Sequence, residues 1–311
     1  MKNDKKNILV LGGTGFIGMN LINKLSADGH KVHSCSKSQG VDIRDYRQLS
    51  KFLLPLKPDI IFNVASHGGS LHYVKEFAAD VFSDNVQMTL NLYRAVKECS
   101  PTTKIITPFS NCSYPGSSDI QVEEEWLNGD VHPSIFSFGN SKRTIYYISK
   151  CYQEQYGLKS VNLLFANTYG PGDSTDPNHT HALNGMIIRM LEAKKNGDKE
   201  FVVWGTGKPV REWTYVDDFI KALILAIDIN HLEYPLNIGQ GKGYSIEESA
   251  LLIKESIGYG GDIVFDTTKL DGDPIKIMSG DNFINKFKDF DFYDHKSGIQ
   301  KTVEYYEDVL K

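Results

Sequence analysis

The segment Gly12-Gly13-Thr14-Gly15-Phe16-Ile17-Gly18 constrains this chain more than any other. It follows the apolar run Ile8-Leu9-Val10-Leu11 and opens a helical pattern that begins at Phe16. A short run that is apolar on both faces suits a central parallel strand, which helices cover from both sides. Glycines in the turn let the backbone reverse tightly and approach a bound group. The helix that starts there presents free N–H groups and the positive end of its dipole. A strand, a glycine turn and a helix in this order fit the pyrophosphate of a dinucleotide; without that context the same glycines are an ordinary tight turn.

The rest of the chain supports that frame. Residues 31–36, 59–64, 104–109 and 161–165 read as further strands, and 46–54, 81–99 and 144–156 as helices between them. This alternation predicts an α/β fold, a Rossmann-like, doubly wound parallel sheet. After Tyr169 the pattern changes. Residues 170–180 are rich in Gly, Pro, Asp and Asn and read as a loop. Helices are expected over 181–195 and 217–227, a strand over 201–204, a helix from Ser245 with Glu248 as its capping-box partner, and a last helix over 298–310. With 311 residues, more than a single core usually organises, the expected division is a dinucleotide-binding domain over 1–168 and a smaller C-terminal α/β substrate lobe over 169–311. Residues 211–240 are expected to return to the first domain.

Composition narrows the function classes. A formal net charge of −5 argues against nucleic acid as a partner. The cysteines, at 35, 99, 112 and 151, show no CxxC spacing and no metal cluster, so no metal is expected and a reduced, cytoplasmic setting fits. No apolar run approaches membrane-spanning length. At the end of the second strand, where an acidic residue would bind the ribose of NAD, the chain reads Ser36-Lys37 instead. Those residues suit a 2′-phosphate and favour NADP, with NAD still possible; Arg44 is a second candidate cation, and Asp42 falls near the expected adenine edge. Any single lysine is more often a solvated surface group.

Several motifs carry a resemblance to a known family: the glycine turn, Asn63-Val64-Ala65-Ser66-His67-Gly68-Gly69, Ser110-Asn111-Cys112-Ser113-Tyr114-Pro115, Asn167-Thr168-Tyr169-Gly170-Pro171, the stretch from His181 to Arg189, and Trp204-Gly205-Thr206-Gly207 leading to Arg211-Glu212. Along nearly its whole length the chain resembles the extended short-chain dehydrogenase/reductase family. Within that family it is similar to the GDP-L-fucose synthase branch, whose members epimerise and reduce GDP-4-keto-6-deoxymannose. The resemblance implies a nucleotide-sugar substrate, GDP-linked as in that branch, and a homodimer through helices 81–99 and 138–156. It places Gly12, Gly15, Phe16, Ile17, Gly18, Ala65 and Asn167 on the cofactor. Ser110 would bond the sugar carbonyl, and Lys142 would hold the nicotinamide ribose. Cys112 and His181, with His179 as a competitor, would exchange protons beside the ketone. Asn111, Arg189, Trp204, Arg211 and Lys276 would contact the substrate.

One position departs from the family. Four residues before Lys142, where the family has a tyrosine, this chain has Phe138, which has no proton to give. A positioned general acid contributes about 10²–10⁴-fold in rate. Three explanations stand: a Tyr→Phe substitution that traps substrate, another donor such as Ser110, a water or Tyr114, or loss of the redox step. Two alternatives to an epimerase/reductase follow: an epimerase or dehydratase without net redox, and a non-catalytic nucleotide-sugar-binding protein.

Overall fold

The computed structural model describes residues 5–116, 120–269 and 271–311. In chain order the strands are β1 (Asn7–Leu11), β2 (Lys31–Cys35), β3 (Ile60–Asn63), β4 (Lys104–Ser110), β5 (Lys159–Phe165), β6 (Asn167–Tyr169), β7 (Glu200–Trp204), β8 (Val210–Arg211), β9 (Trp213–Tyr215), β10 (Leu236–Ile238), β11 (Tyr244–Ser245), β12 (Asp262–Asp266) and β13 (Ile275–Lys276). The helices are α1 (Phe16–Ala27), α2 (Tyr46–Leu56), α3 (Leu71–Glu76), α4 (Ala78–Cys99), α5 (Phe136–Tyr156), α6 (Ala182–Asn196), α7 (Val216–Leu225), α8 (Ile246–Ile257), α9 (Asp281–Lys286) and α10 (His295–Val309).

Six strands form one parallel sheet in the order β10-β5-β4-β3-β1-β2. The order reverses at β1, which pairs with β2 on one side and β3 on the other. The two faces of β1 show why its run is continuously apolar. Ile8 and Val10 join a core with Leu21 and Leu25 of α1, while Leu9 and Leu11 join a second core with Leu49 of α2 and Leu92 of α4. All four side chains are fully buried. A crevice opens beyond the carboxyl ends of the strands at such a reversal, and open α/β sheets bind ligands there.

The C-terminal part builds small sheets: β6 with β9, β7 with β12, and β8 between β11 and β13. Within 211–240 it is β10 that pairs with the main sheet, along β5, whereas β9 pairs with β6 outside it. Ser245 and Glu248 cap α8 reciprocally. Helix α5 starts at Phe136 rather than 144. Its first turns hold Ser137, Gly139 and Ser141, weak helix formers chosen here for closeness: a Cβ on Gly139 would stand 2.6 Å from the Cys112 carbonyl oxygen. Tight packing therefore fixes the helix that carries Phe138 and Lys142 against the loop that carries Cys112.

Candidate active site

The glycine turn is shaped by contacts that exclude side chains. Gly12 has φ +82°, and a Cβ there would lie 2.7 Å from Ala65 Cα; one on Gly18 would lie 2.1 Å from the Gly12 carbonyl oxygen. Gly15 caps α1 with no side-chain hydrogen bond, so the first N–H groups of the helix keep their donors for an anion. A bare cradle with free donors at a helix N-terminus fits a dinucleotide pyrophosphate. Gly12, Gly15, Phe16, Ile17, Gly18 and Ala65 line a cavity of about 590 Å³ that continues to Ser110, Cys112, Phe138, Lys142, Asn167, His181, Arg211 and Lys276.

β4 and α5 both contribute to this cavity. Ser110 ends β4; its hydroxyl accepts the Cys112 N–H at 3.2 Å. Lys142 is buried, and its ammonium donates to Ser66 Oγ at 2.9 Å. Burial pulls its pKa down to about 8, against the opposing charge of Cys112. The Phe138 ring stands beside it, 4.8 Å from Nζ to the ring centroid, and its edge faces Gly68. Among the described residues no tyrosine lines the cavity. Tyr114 is buried and donates to Asn237 Oδ1 at 2.7 Å, which corrects its reading as a donor to substrate. Tyr146 donates to the Glu233 carbonyl at 3.2 Å, and Tyr147 is exposed on the outer surface.

Two pairs of groups suited to proton transfer also line the cavity. Cys112 Sγ lies 3.6 Å from the Lys276 ammonium, and Lys276 also lines the cavity, where the sequence reading expects it against substrate. Asp273, also on the cavity wall, has its pKa raised by burial, with Lys276, His132 and Arg211 opposing. The His181 ring has Nδ1 3.0 Å from the Asp173 carboxylate, while its backbone N–H donates to the same group at 2.9 Å. Asn184 Nδ2 donates to Asp173 as well, at 2.8 Å. Burial raises the Asp173 pKa, but these hydrogen bonds and the neighbouring His181 outweigh it and leave the carboxyl below its ordinary value. Asp173, Asp273 and Thr107, which also line the cavity, were missed by the sequence reading. His179, the competitor to His181, has its Nδ1 3.4 Å from the Gly68 carbonyl.

The remaining expected residues fall in three places. Ser36 is buried at the end of β2, and its hydroxyl is 3.0 Å from Ser38 Oγ; Ser38 in turn lies 3.0 Å from Thr14 in the glycine turn. Lys37 is exposed in the same short loop. Asp42 instead accepts from Arg44 with both oxygens, and Arg44 also donates to Asp84 at 2.8 Å. Arg44 is thus already neutralised, which corrects its candidacy as a phosphate cation. Asn167 donates to the Glu212 carbonyl at 3.3 Å. Asn111 is 1% exposed and is not part of the cavity lining. Arg189 and Trp204 lie outside that lining too: the Arg189 guanidinium sits 5.4 Å from the Trp204 ring, which is 64% exposed. Among the described residues no group of three or more His, Cys, Asp or Glu side chains is placed to hold a metal ion, and no helix is long and apolar enough to cross a membrane.

Comparison with known proteins agrees with this geometry. The profile of the NAD dependent epimerase/dehydratase family matches residues 8–239. A probable GDP-L-fucose synthase 1 of Oryza sativa is 30% identical over 273 residues, covering 87% of this chain and 83% of the relative. A GDP-L-fucose synthase of Sinorhizobium fredii is 30% identical over 283 residues, covering 91% and 90%. The crystal structure of a GDP-L-fucose synthetase from Naegleria fowleri bound to NADP superimposes with a TM-score of 0.89 at 26% identity, covering 100% of this chain and 95% of that one. The profile match over most of the chain, the doubly wound sheet and the bare glycine cradle together place this protein in the NAD dependent epimerase/dehydratase family.

Proposed function

We propose that this chain is an NADP(H)-dependent nucleotide-sugar epimerase/reductase whose substrate is a GDP-linked 4-keto-6-deoxy sugar. One observation carries the reading. The glycine cradle, the Ser110 hydroxyl, the buried Lys142 ammonium and the flanking Cys112 and His181 all line a single cavity, large enough for a nicotinamide beside a sugar. NADPH, when bound, supplies the hydride for the ketone carbon. Ser110 holds the ketone oxygen by donating its hydroxyl proton. That bond also stabilises the enolate when a proton leaves the adjoining carbon. Cys112 follows β4 and His181 precedes α6, so the two reach the cavity from separate elements; one removes a proton from a carbon beside the ketone and the other returns one. Arg211 and Lys276 add positive charge for an anionic substrate; the planar Arg211 fork suits phosphate oxygens.

The test is incubation of the protein with GDP-4-keto-6-deoxymannose in deuterated water, with and without NADPH. Deuterium should enter the carbons flanking the ketone. A protein that neither binds NADPH in titration nor exchanges these protons does not have this function. We further propose a cytoplasmic homodimer through α4 and α5, whose exposed Leu90 and Tyr147 would be covered by the second copy. A monomer in sedimentation analysis would contradict the dimer.

A further inference from the structure

We infer that Asp173 is a positioning residue that fixes the His181 imidazole as its Nδ1–H form and aims the free Nε2 at the substrate. The inference rests on the reading of His181 as a proton-transfer group. Three facts about the site carry it. First, Asp173 touches His181 twice, at the ring Nδ1 (3.0 Å) and at the backbone N–H (2.9 Å). The ring and the backbone that carries it are therefore held by one group. Second, the Asp173 side chain is only 2% exposed while that of His181 is 50% exposed. The carboxylate anchors from inside and the imidazole faces the cavity. Third, Asp173 is itself fixed. Asn184 donates to it at 2.8 Å and uses its own Oδ1 to accept the Gly170 N–H at 3.1 Å. The Asp173 carbonyl accepts the Tyr306 hydroxyl of α10 at 3.1 Å.

The tautomer follows from chemistry. An ionised carboxylate has no proton to donate, and the bonds around Asp173 favour ionisation. The proton in the Asp173–His181 bond thus belongs to Nδ1. Among the described residues Nε2 has no hydrogen-bond partner, and its lone pair is available to take a proton from carbon. The Phe16 ring, 5.6 Å away between centroids, bounds the imidazole on the side of the glycine turn. In the transfer a C–H bond of the sugar breaks, its electron pair enters the enolate, and the proton joins Nε2. The resulting imidazolium is stabilised by Asp173, which stays ionised. In the opposite sense the imidazolium returns that proton to the carbon.

The test uses the full-length protein with its histidines labelled with ¹⁵N. In the wild type the neutral His181 ring should carry its proton on Nδ1 and leave Nε2 bare; a neutral ring protonated on Nε2 overturns the inference without any variant. In Asp173→Asn the amide can donate to Nδ1, so the proton should move to Nε2. Exchange of one of the two carbon-bound protons beside the ketone should then fall at least about 100-fold, as loss of a positioned base does, with KM little changed. Asp173→Glu should recover part of the exchange. Equal exchange rates in wild type and Asp173→Asn, with wild-type exchange present, refute the inference while leaving the proposed function standing. If the wild type exchanges no protons, the proposed function fails, and the tautomer measurement still decides the role of Asp173.

Discussion

Replacing Phe138 by tyrosine tests the chemistry of the cavity directly. The ring lies with its centroid 4.8 Å from the Lys142 ammonium, and Lys142, with a pKa of about 8, is mostly charged at neutral pH. A unit charge about 5 Å away at an effective dielectric of about 20 is worth about 3 kcal/mol. That is about two pKa units, which brings a phenol from about 10 to about 8. Such a group is protonated at neutral pH and gives its proton readily to an alkoxide forming at the ketone. General-acid catalysis of this kind is worth about 10²–10⁴-fold, or about 3–5 kcal/mol of barrier. Phe138→Tyr should therefore raise single-turnover NADPH oxidation with the GDP-4-keto sugar by about 100-fold or more, read as loss of reduced-nicotinamide absorbance. Affinity for the cofactor should hardly change, since the Phe138 side chain has no hydrogen bond to lose. An unchanged rate in Phe138→Tyr, with both ligands bound, would refute the reasoning: proton delivery would then run through another group.

Three further outcomes are expected. Lys37→Ala should weaken NADPH binding by about tenfold with little effect on NADH, measured by calorimetric titration, because an exposed cation discriminates the 2′-phosphate alone. Gly18→Ala should reduce affinity for both cofactors and lower the melting temperature, since its Cβ would overlap the Gly12 carbonyl at 2.1 Å; the backbone turn, not a side chain, is what it would displace. For Lys142, burial lowers the folded-state pKa to about 8, below the unfolded value of about 10.4. Between those values the unfolded chain binds the extra proton, so Lys142 makes stability rise with pH across this window, by about 3 kcal/mol in all. Denaturant unfolding of Lys142→Met should show a flatter pH dependence from about 8 to 10 than the wild type.

The parts of the fold legible in the sequence were those whose signal is local. Ile8 to Leu11 is apolar without interruption because both faces of β1 are covered, and the glycines follow at once. The short strands were not legible: β6, β8 and β13 are two or three residues long, too short for any periodicity, and each exists through pairing with a distant segment. The site divides in the same way. Ser110, Cys112, Lys142 and His181 stand in recognisable motifs, and the fold brings them to one cavity. Asp173 sits in a loop rich in Gly, Pro and Asp, where an aspartate reads as a turn former; the cue was its closeness to His181 just beyond the loop. The link from Lys276 to Cys112 joins residues 164 positions apart, and no local pattern encodes it.

The Phe138 ring contacts the Lys142 ammonium but takes no part in the hydrogen bonds of the other site residues. Lys142 keeps its bond to Ser66, Cys112 keeps Lys276, and His181 keeps Asp173; none of these bonds passes through the ring. A phenylalanine here therefore withholds a proton donor from the proposed reduction without disturbing the groups proposed to move protons on carbon. The two half-reactions draw on different atoms, and their rates should separate. With Phe138, deuterium should enter beside the ketone many times for each NADPH oxidised, and the epimerised ketone should build up. With tyrosine there, the same exchange should be followed by reduction, and the ratio of exchange to oxidation should fall toward one or two per turnover. Exchange and oxidation that fell together in the phenylalanine form would mean that the ring itself shapes the seat for the sugar, and the separation of the two half-reactions would be lost.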